Sequence, residues 1–116
     1  MIRVRLRHDR NGCLRRMDME GHAGGAPLGE NVVCAAATVL ARTAARVLDA
    51  SPGIRLRGIA DREGRLEVEV LSYQRETGNY LKALSDYLLV GLRDLESEYP
   101  GEVTVLVEDP VESQGE

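Results

Sequence analysis

The sequence predicts an α+β domain: a two-layer sandwich, its sheet mostly antiparallel, with two helices packed on one face. Three observations carry this reading. Segments with period-two alternation come in pairs, segments with helical period separate the pairs, and the alternating segments carry charge on every second residue. A sheet patterned this way meets water on one face and a core on the other. The elements run β-β-α-β-β-α-β. Residues 1–110 are expected to form one domain, and 111–116 a flexible C-terminal tail.

The first strand is "IRVRLR", residues 2–7. Ile2, Val4 and Leu6 point one way, and Arg3, Arg5 and Arg7 the other. "RNG" at 10–12 is a hairpin turn, because Asn-Gly tolerates positive φ. The second strand, about 13–20, places Cys13, Met17 and Met19 on one face. A loop follows, "GHAGGAPLGE", with four glycines and one proline in ten residues. From Asn31 or Val32 to Leu48 the composition turns to Ala, Val and Leu, which predicts a helix apolar around most of its circumference. So much alanine lets neighbouring backbones approach closely, against the sheet and against a second subunit.

"DASPG" breaks that helix. "IRLRGIA" (54–60) and "RLEVEVL" (65–71) are two further strands joined by "DREG". A second helix spans about 75–98, with Thr77, Tyr80, Leu81, Leu84, Leu88, Gly91, Leu92 and Leu95 at i, i+3/i+4 spacing. "YPGE" ends it, and "VTVLVED" is the last strand.

Composition narrows the class. Hydrophobic residues make up 43% and charged residues 29% of the 116, as in a soluble globular chain. With no Trp, no Phe and four Tyr, the core has to come from Val, Leu, Ile and Ala. The net charge of −4 is not that of a nucleic-acid binder, so nucleic acid is not expected as a direct ligand. No run of 18 apolar residues exists, and "MIRVRLRHDR" lacks the apolar core of a secretion signal. A cytoplasmic location without membrane association is the expectation, and there the two cysteines stay reduced.

The chemistry concentrates in "GHAGGAPLGENVVCAAATVL", residues 21–40. With Asn31 as N-cap, Cys34 is the third helical residue. Unpaired N–H groups and the positive end of the helix dipole then favour a thiolate, the nucleophilic form. They also favour the oxyanion formed when it attacks a carbonyl. His22, where the second strand ends, carries an imidazole able to take the thiol proton and return it to a leaving amine. The residues alone leave a second account open: Cys34 as a small apolar core residue and His22 as a solvated loop histidine. One Cys and one nearby His supply two ligands where structural zinc takes four, so no metal or other cofactor is expected. Seven strand residues at about 3.3 Å put Cys13 roughly 23 Å from the His22 end of its strand, so Cys13 is not the disulfide partner of Cys34.

This segment resembles the signature of the ribosomal-processing cysteine protease family, Prp. Gly21, His22, Ala23, Gly29, Val33, Cys34, Ala35 and Ala36 fit its pattern without gaps, the eleven residues between His22 and Cys34 match its spacing, and "YPGEVTV" resembles its usual ending. The resemblance implies an α+β homodimer that removes a short N-terminal extension from a large-subunit ribosomal protein during ribosome assembly. It implies Cys34 as nucleophile and His22 as general base. The glycine-rich loop, with Gly21, Ala23, Gly24, Gly25 and Gly29, would order over the substrate.

Two supporting positions depart from the family pattern. Asn31 stands where Asp is usual; it can orient an imidazole but cannot stabilise an imidazolium by charge. Thr38 replaces the usual Ser and keeps the hydroxyl one turn beyond Cys34. The loop also lacks the aromatic residue often found there. A competing function belongs to a different class: a non-catalytic dimeric ribosome-assembly module that binds ribosomal protein or rRNA. Arg3, Arg5 and Arg7, with Arg10, Arg15 and Arg16 near, would hold phosphates. The alternative for that stripe is a solvated face balanced by Glu67 and Glu69.

Overall fold

Alternation in the sequence becomes a five-stranded sheet because each apolar set finds the same side. The structure, a computed structural model, describes residues 1–21, 28–59 and 64–112, with the side chains of 28–31 and 59 outside that description. The strands are β1 (Ile2–His8), β2 (Leu14–Glu20), β3 (Ile54–Ile59), β4 (Arg65–Tyr73) and β5 (Val103–Val107). The helices are α1 (Leu28–Asp49) and α2 (Gly78–Glu98), the latter entered through a 3₁₀ turn at Arg75–Thr77. The sheet order is β3-β4-β2-β1-β5. Its pairs are antiparallel except β1–β5, which run parallel. The α+β architecture and element order are those the sequence predicts.

Ile2, Val4 and Leu6 of β1, Met17 and Met19 of β2, and Leu66, Val68 and Val70 of β4 are buried. They form one cluster with Val33, Ala37, Ala41, Ala44 and Leu48 of α1 and Leu81, Leu88 and Leu92 of α2. Each fully buried Leu contributes roughly 1.5–3 kcal/mol, so aliphatic side chains and close-set alanines replace the aromatics this sequence lacks. Two expectations shift. Tyr80, read as part of the apolar stripe, is 50% exposed, whereas Ser85 is buried. Ser85 Oγ accepts the Leu14 amide at 2.7 Å and donates to the Leu81 carbonyl at 2.6 Å, which makes a polar residue tolerable there.

The first hairpin also differs from a plain Asn-Gly turn. The Gly12 amide donates to the Asp9 carbonyl and the Asp9 amide to that of Cys13. Within this turn positive φ falls on Gly12 (82°) and on no other residue, so this is a type I turn with a glycine bulge. Past the turn the register slips: Arg7 faces Arg16 but His8 faces Leu14, leaving Arg15 as an extra residue in β2. Arg15 then turns inward. Its Nε and Nη2 donate to the Val70 and Leu71 carbonyls at 3.1 and 3.0 Å, and its guanidinium lies 5.9 Å from the Tyr73 ring centre.

The outer edge of β5 is closed by side chains from α2. Val105 donates its amide to Glu96 Oε2 at 2.8 Å, and its carbonyl accepts from Arg93 at 3.0 Å. The pair occupies the outward amide and carbonyl at the middle of the strand, where another strand would dock. The Val105 amide, followed by Arg93, holds the Glu96 carboxyl below its ordinary 4.5. A depressed carboxylate adds stability above its unfolded pKa and loses it as pH falls through the folded value. Glu96→Gln is therefore expected to melt lower than the parent at neutral pH, with the difference shrinking in acid. Thermal melts across pH, with light scattering to detect edge-to-edge association, measure this.

At the far end, the Val111 amide bonds the His8 carbonyl at 2.9 Å and Glu112 pairs with Arg10 at 2.6 Å. Residues 113–116 of the expected tail lie outside the described residues.

Candidate active site

β2 delivers the chain to the site. Its alternation buries Met19, and Gly21 then turns the backbone at φ 100°. A Cβ at this position would stand 2.3 Å from the Met1 carbonyl oxygen, so the turn takes glycine for both space and φ. The Gly21 amide donates to the Gly64 carbonyl at 3.0 Å, which pins the end of β2 to the start of β4. Opposite stands α1. Cys34, Thr38 and Arg42 line a cleft of about 210 Å³ together with Gly21, Arg65 and Leu66. The i+4 steps from Cys34 to Thr38 and on to Arg42 keep all three on one side of the helix.

Cys34 is half-buried and Cys13 buried, and both are free thiols. They differ in surroundings. Cys13 Sγ donates to the Gly78 carbonyl at 3.4 Å, and burial pushes its thiol up from the ordinary value, toward the unreactive form. Cys34 opens onto the cleft.

The start of α1 requires corrections. The helix begins at Leu28, not at Val32. Asn31 is therefore a helical residue and not the N-cap. Gly29 belongs to the first turn of α1 and not to the loop. Cys34 is the seventh helical residue, in the second turn. Its own amide belongs to the helical ladder, and the dipole effect fades within the first turn, so the helix start does not supply the activation the sequence reading assigned to it. Pro27 just before the helix and Glu30 within its first turn were the local signals for this earlier start. His22, Ala23, Gly24 and Gly25 lie outside the described residues.

Arg42 and Arg65 are additions to the site. Arg65 sits 3.7 Å from both Asp18 and Glu20, whereas Arg42 has no ion-pair partner among the described residues. The spacing Cys34–Thr38–Arg42 was the signal for Arg42; Arg65 needed the β2–β4 pairing, which sets it opposite Glu20.

The arginine stripe is divided by the fold. Arg15 is 9% exposed and bonded inward, so it leaves the proposed phosphate surface. Glu67 and Glu69 balance Arg16 and Arg57 and not the arginines of β1. Arg3 and Arg5 stand opposite Glu20 and Asp18 of β2, and Arg7 pairs with Glu108 at 3.4 Å. Among the described residues no helix is long and apolar enough to cross a membrane.

Similar folds are found among solved structures. The S. aureus ribosomal processing protease Prp, bound covalently to a product peptide, superimposes with a TM-score of 0.76 at 20% identity, over 93% of this chain and 100% of that one. Its complex with a substrate peptide gives 0.76 at 19% identity and the same coverage. SMU.848 from Streptococcus mutans gives 0.76 at 22%, over 94% and 95% of the two chains. No match was found among curated proteins. The family model described as cysteine protease Prp matches residues 1–104, spanning β1 to β4, both helices and the start of β5. A cleft-lining cysteine on α1 and a family match over this length converge on one conclusion: the chain belongs to the cysteine protease Prp family.

Proposed function

We propose that this protein is a cysteine endopeptidase that removes a short N-terminal extension from a large-subunit ribosomal protein, with Cys34 as nucleophile and His22 as general base. One observation carries the reading: Cys34 and Gly21 line the same cleft, and Gly21 is bonded directly to His22. Gly21 brings the chain to the wall of the cleft that holds the thiol, and His22 is the next residue in the sequence.

The chemistry follows from those two groups. The imidazole takes the Cys34 proton, and the thiolate attacks the scissile carbonyl. The imidazolium then protonates the leaving amine, which departs as the mature N-terminus. The acyl group stays on sulfur as a thioester until water, deprotonated by the same imidazole, releases it as a carboxylate. With Cys34 in the second turn of α1, activation of the thiol falls to His22. Asn31, one turn before Cys34, holds the histidine in orientation, and Thr38 contributes a hydroxyl to the cleft wall. Ala23, Gly24 and Gly25 close over the peptide. The protein works in the cytoplasm as a homodimer, for which Val39, Tyr87 and Val90 on the helices offer exposed apolar surface. Support for the substrate comes from the S. aureus Prp structures with substrate and product peptides.

The test is cleavage of a synthetic peptide spanning such an extension. Cleavage at one bond, abolished by prior alkylation with iodoacetamide, is the expected result. Cleavage that survives complete alkylation of Cys34 overturns the reading.

A further inference from the structure

A second cavity, of about 360 Å³, opens beside the Cys34 cleft, between the C-terminal half of α1 and the edge strand β3. Leu66 lines both cavities, and Arg42 of the first stands one turn before Ala45 and Arg46 of the second, so the two adjoin along α1. Leu56, Leu66 and Val68 make the floor apolar, and Arg46 and Asp49 stand at the rim. From Cys34 to Ala45, the nearest α1 residue of the second cavity, is roughly 17 Å at about 1.5 Å per helical residue. An extended peptide covers that distance in about five residues.

Gly58 is the second, independent observation. It sits within β3 opposite Val68, so a side chain there would share the sheet face that carries Val68 into the core. Glycine inside a strand weakens it relative to alanine, through backbone entropy and a missing side chain. Among the described residues nothing demands it: its φ is not positive, and a Cβ would meet only the Glu67 carbonyl oxygen, at 3.8 Å. Glycines inside strands occur at bulges, at tight bends and where a ligand or another backbone approaches closely. Here Gly58 lies at the wall of the groove, where its missing side chain leaves the floor open.

We infer that this cavity is a distal subsite for the peptide substrate, taking an apolar side chain about five residues from the scissile bond, with Gly58 setting its size. The inference rests on the peptidase reading above. The occupant is the substrate itself, because the cavity adjoins, at Leu66, the cleft in which that chain is cut.

Two peptides test it: one reaching about seven residues to each side of the cut, with apolar residues at the distal positions, and one reaching about three. The parent protein is expected to cleave the long peptide with about tenfold higher kcat/KM, the scale of one well-buried apolar side chain. Gly58→Val is expected to erase that preference through KM and leave the short peptide unchanged; Gly58→Ala falls between. Placing Asp at the fifth position on either side of the cut in the long peptide should reproduce the loss on one side. No preference in the parent, or a preference that survives Gly58→Val, overturns the subsite. So does an equal loss on both peptides in Gly58→Ala, whose Cβ the fold accommodates. If the parent cleaves neither peptide, the peptidase reading fails first, and that result is distinct from the others.

Discussion

Cys34→Ala is expected to reduce cleavage of the extension peptide by at least about 10³-fold while the protein stays folded. Loss of one sulfur from a half-buried position on α1 should change stability by less than about 1.5 kcal/mol, because no described hydrogen bond or ion pair is broken. A melting curve beside the cleavage assay separates the two effects. His22→Ala should cost nearly as much, and the double substitution little more than either alone, since nucleophile and base act as one unit. Near-additive losses would mean that the two do not share a step. Measurable turnover in Cys34→Ala would remove the nucleophile from the scheme. The thiol stands in the second turn of α1, beyond the reach of the helix start, and in the proposed scheme its activation falls to His22.

The largest stability effect is expected at the opposite end of β2. Asp9 is 2% exposed, and its carboxylate accepts three bonds: from the Asn11 amide at 2.9 Å, the Cys13 amide at 3.1 Å and the Tyr73 hydroxyl at 2.5 Å. Asp9→Ala withdraws the acceptor from all three inside the fold, a loss on the order of 3 kcal/mol; Asp9→Asn, which keeps one acceptor oxygen, should lose less. Denaturant unfolding measures both. Tyr73 supplies a separate readout. Burial, then the bond to Asp9, pushes its hydroxyl up to about 12 from the usual 10. A raised value means stability that is present below pH 10 and lost as pH rises through about 12. In Asp9→Ala, tyrosinate absorbance should appear at lower pH than in the parent, although burial keeps it above the ordinary value. An unchanged Tyr73 titration would show that Asp9 does not govern it.

Much of this could be read locally. Alternation in "IRVRLR" and "RLEVEVL" identified β1 and β4, since a period of two is a property of one strand. The leucine spacing identified α2 for the same reason. The His22-to-Cys34 spacing named the family that the match over residues 1–104 then showed. Other features depend on partners far along the chain. A charged residue such as Arg15 reads as solvent-facing until one extra residue in β2 turns it toward the β4 carbonyls. Ser85 reads as surface until Leu14 presents its amide. Glu96 and Arg93 read as a helix ion pair until β5 brings Val105 alongside.

By itself, then, the sequence determined the kinds and order of the elements, the aliphatic core and the family to which the chain belongs, because each is written in short-range spacing. Tertiary structure decided where polar groups end up: Arg15 and Asp9 inward, the β5 edge closed, Gly21 and Cys34 on one cleft, and a second cavity beyond Leu66. A buried polar group is stable only where a complementary group meets it, and that meeting is set by strand register and packing across tens of residues, not by any local pattern.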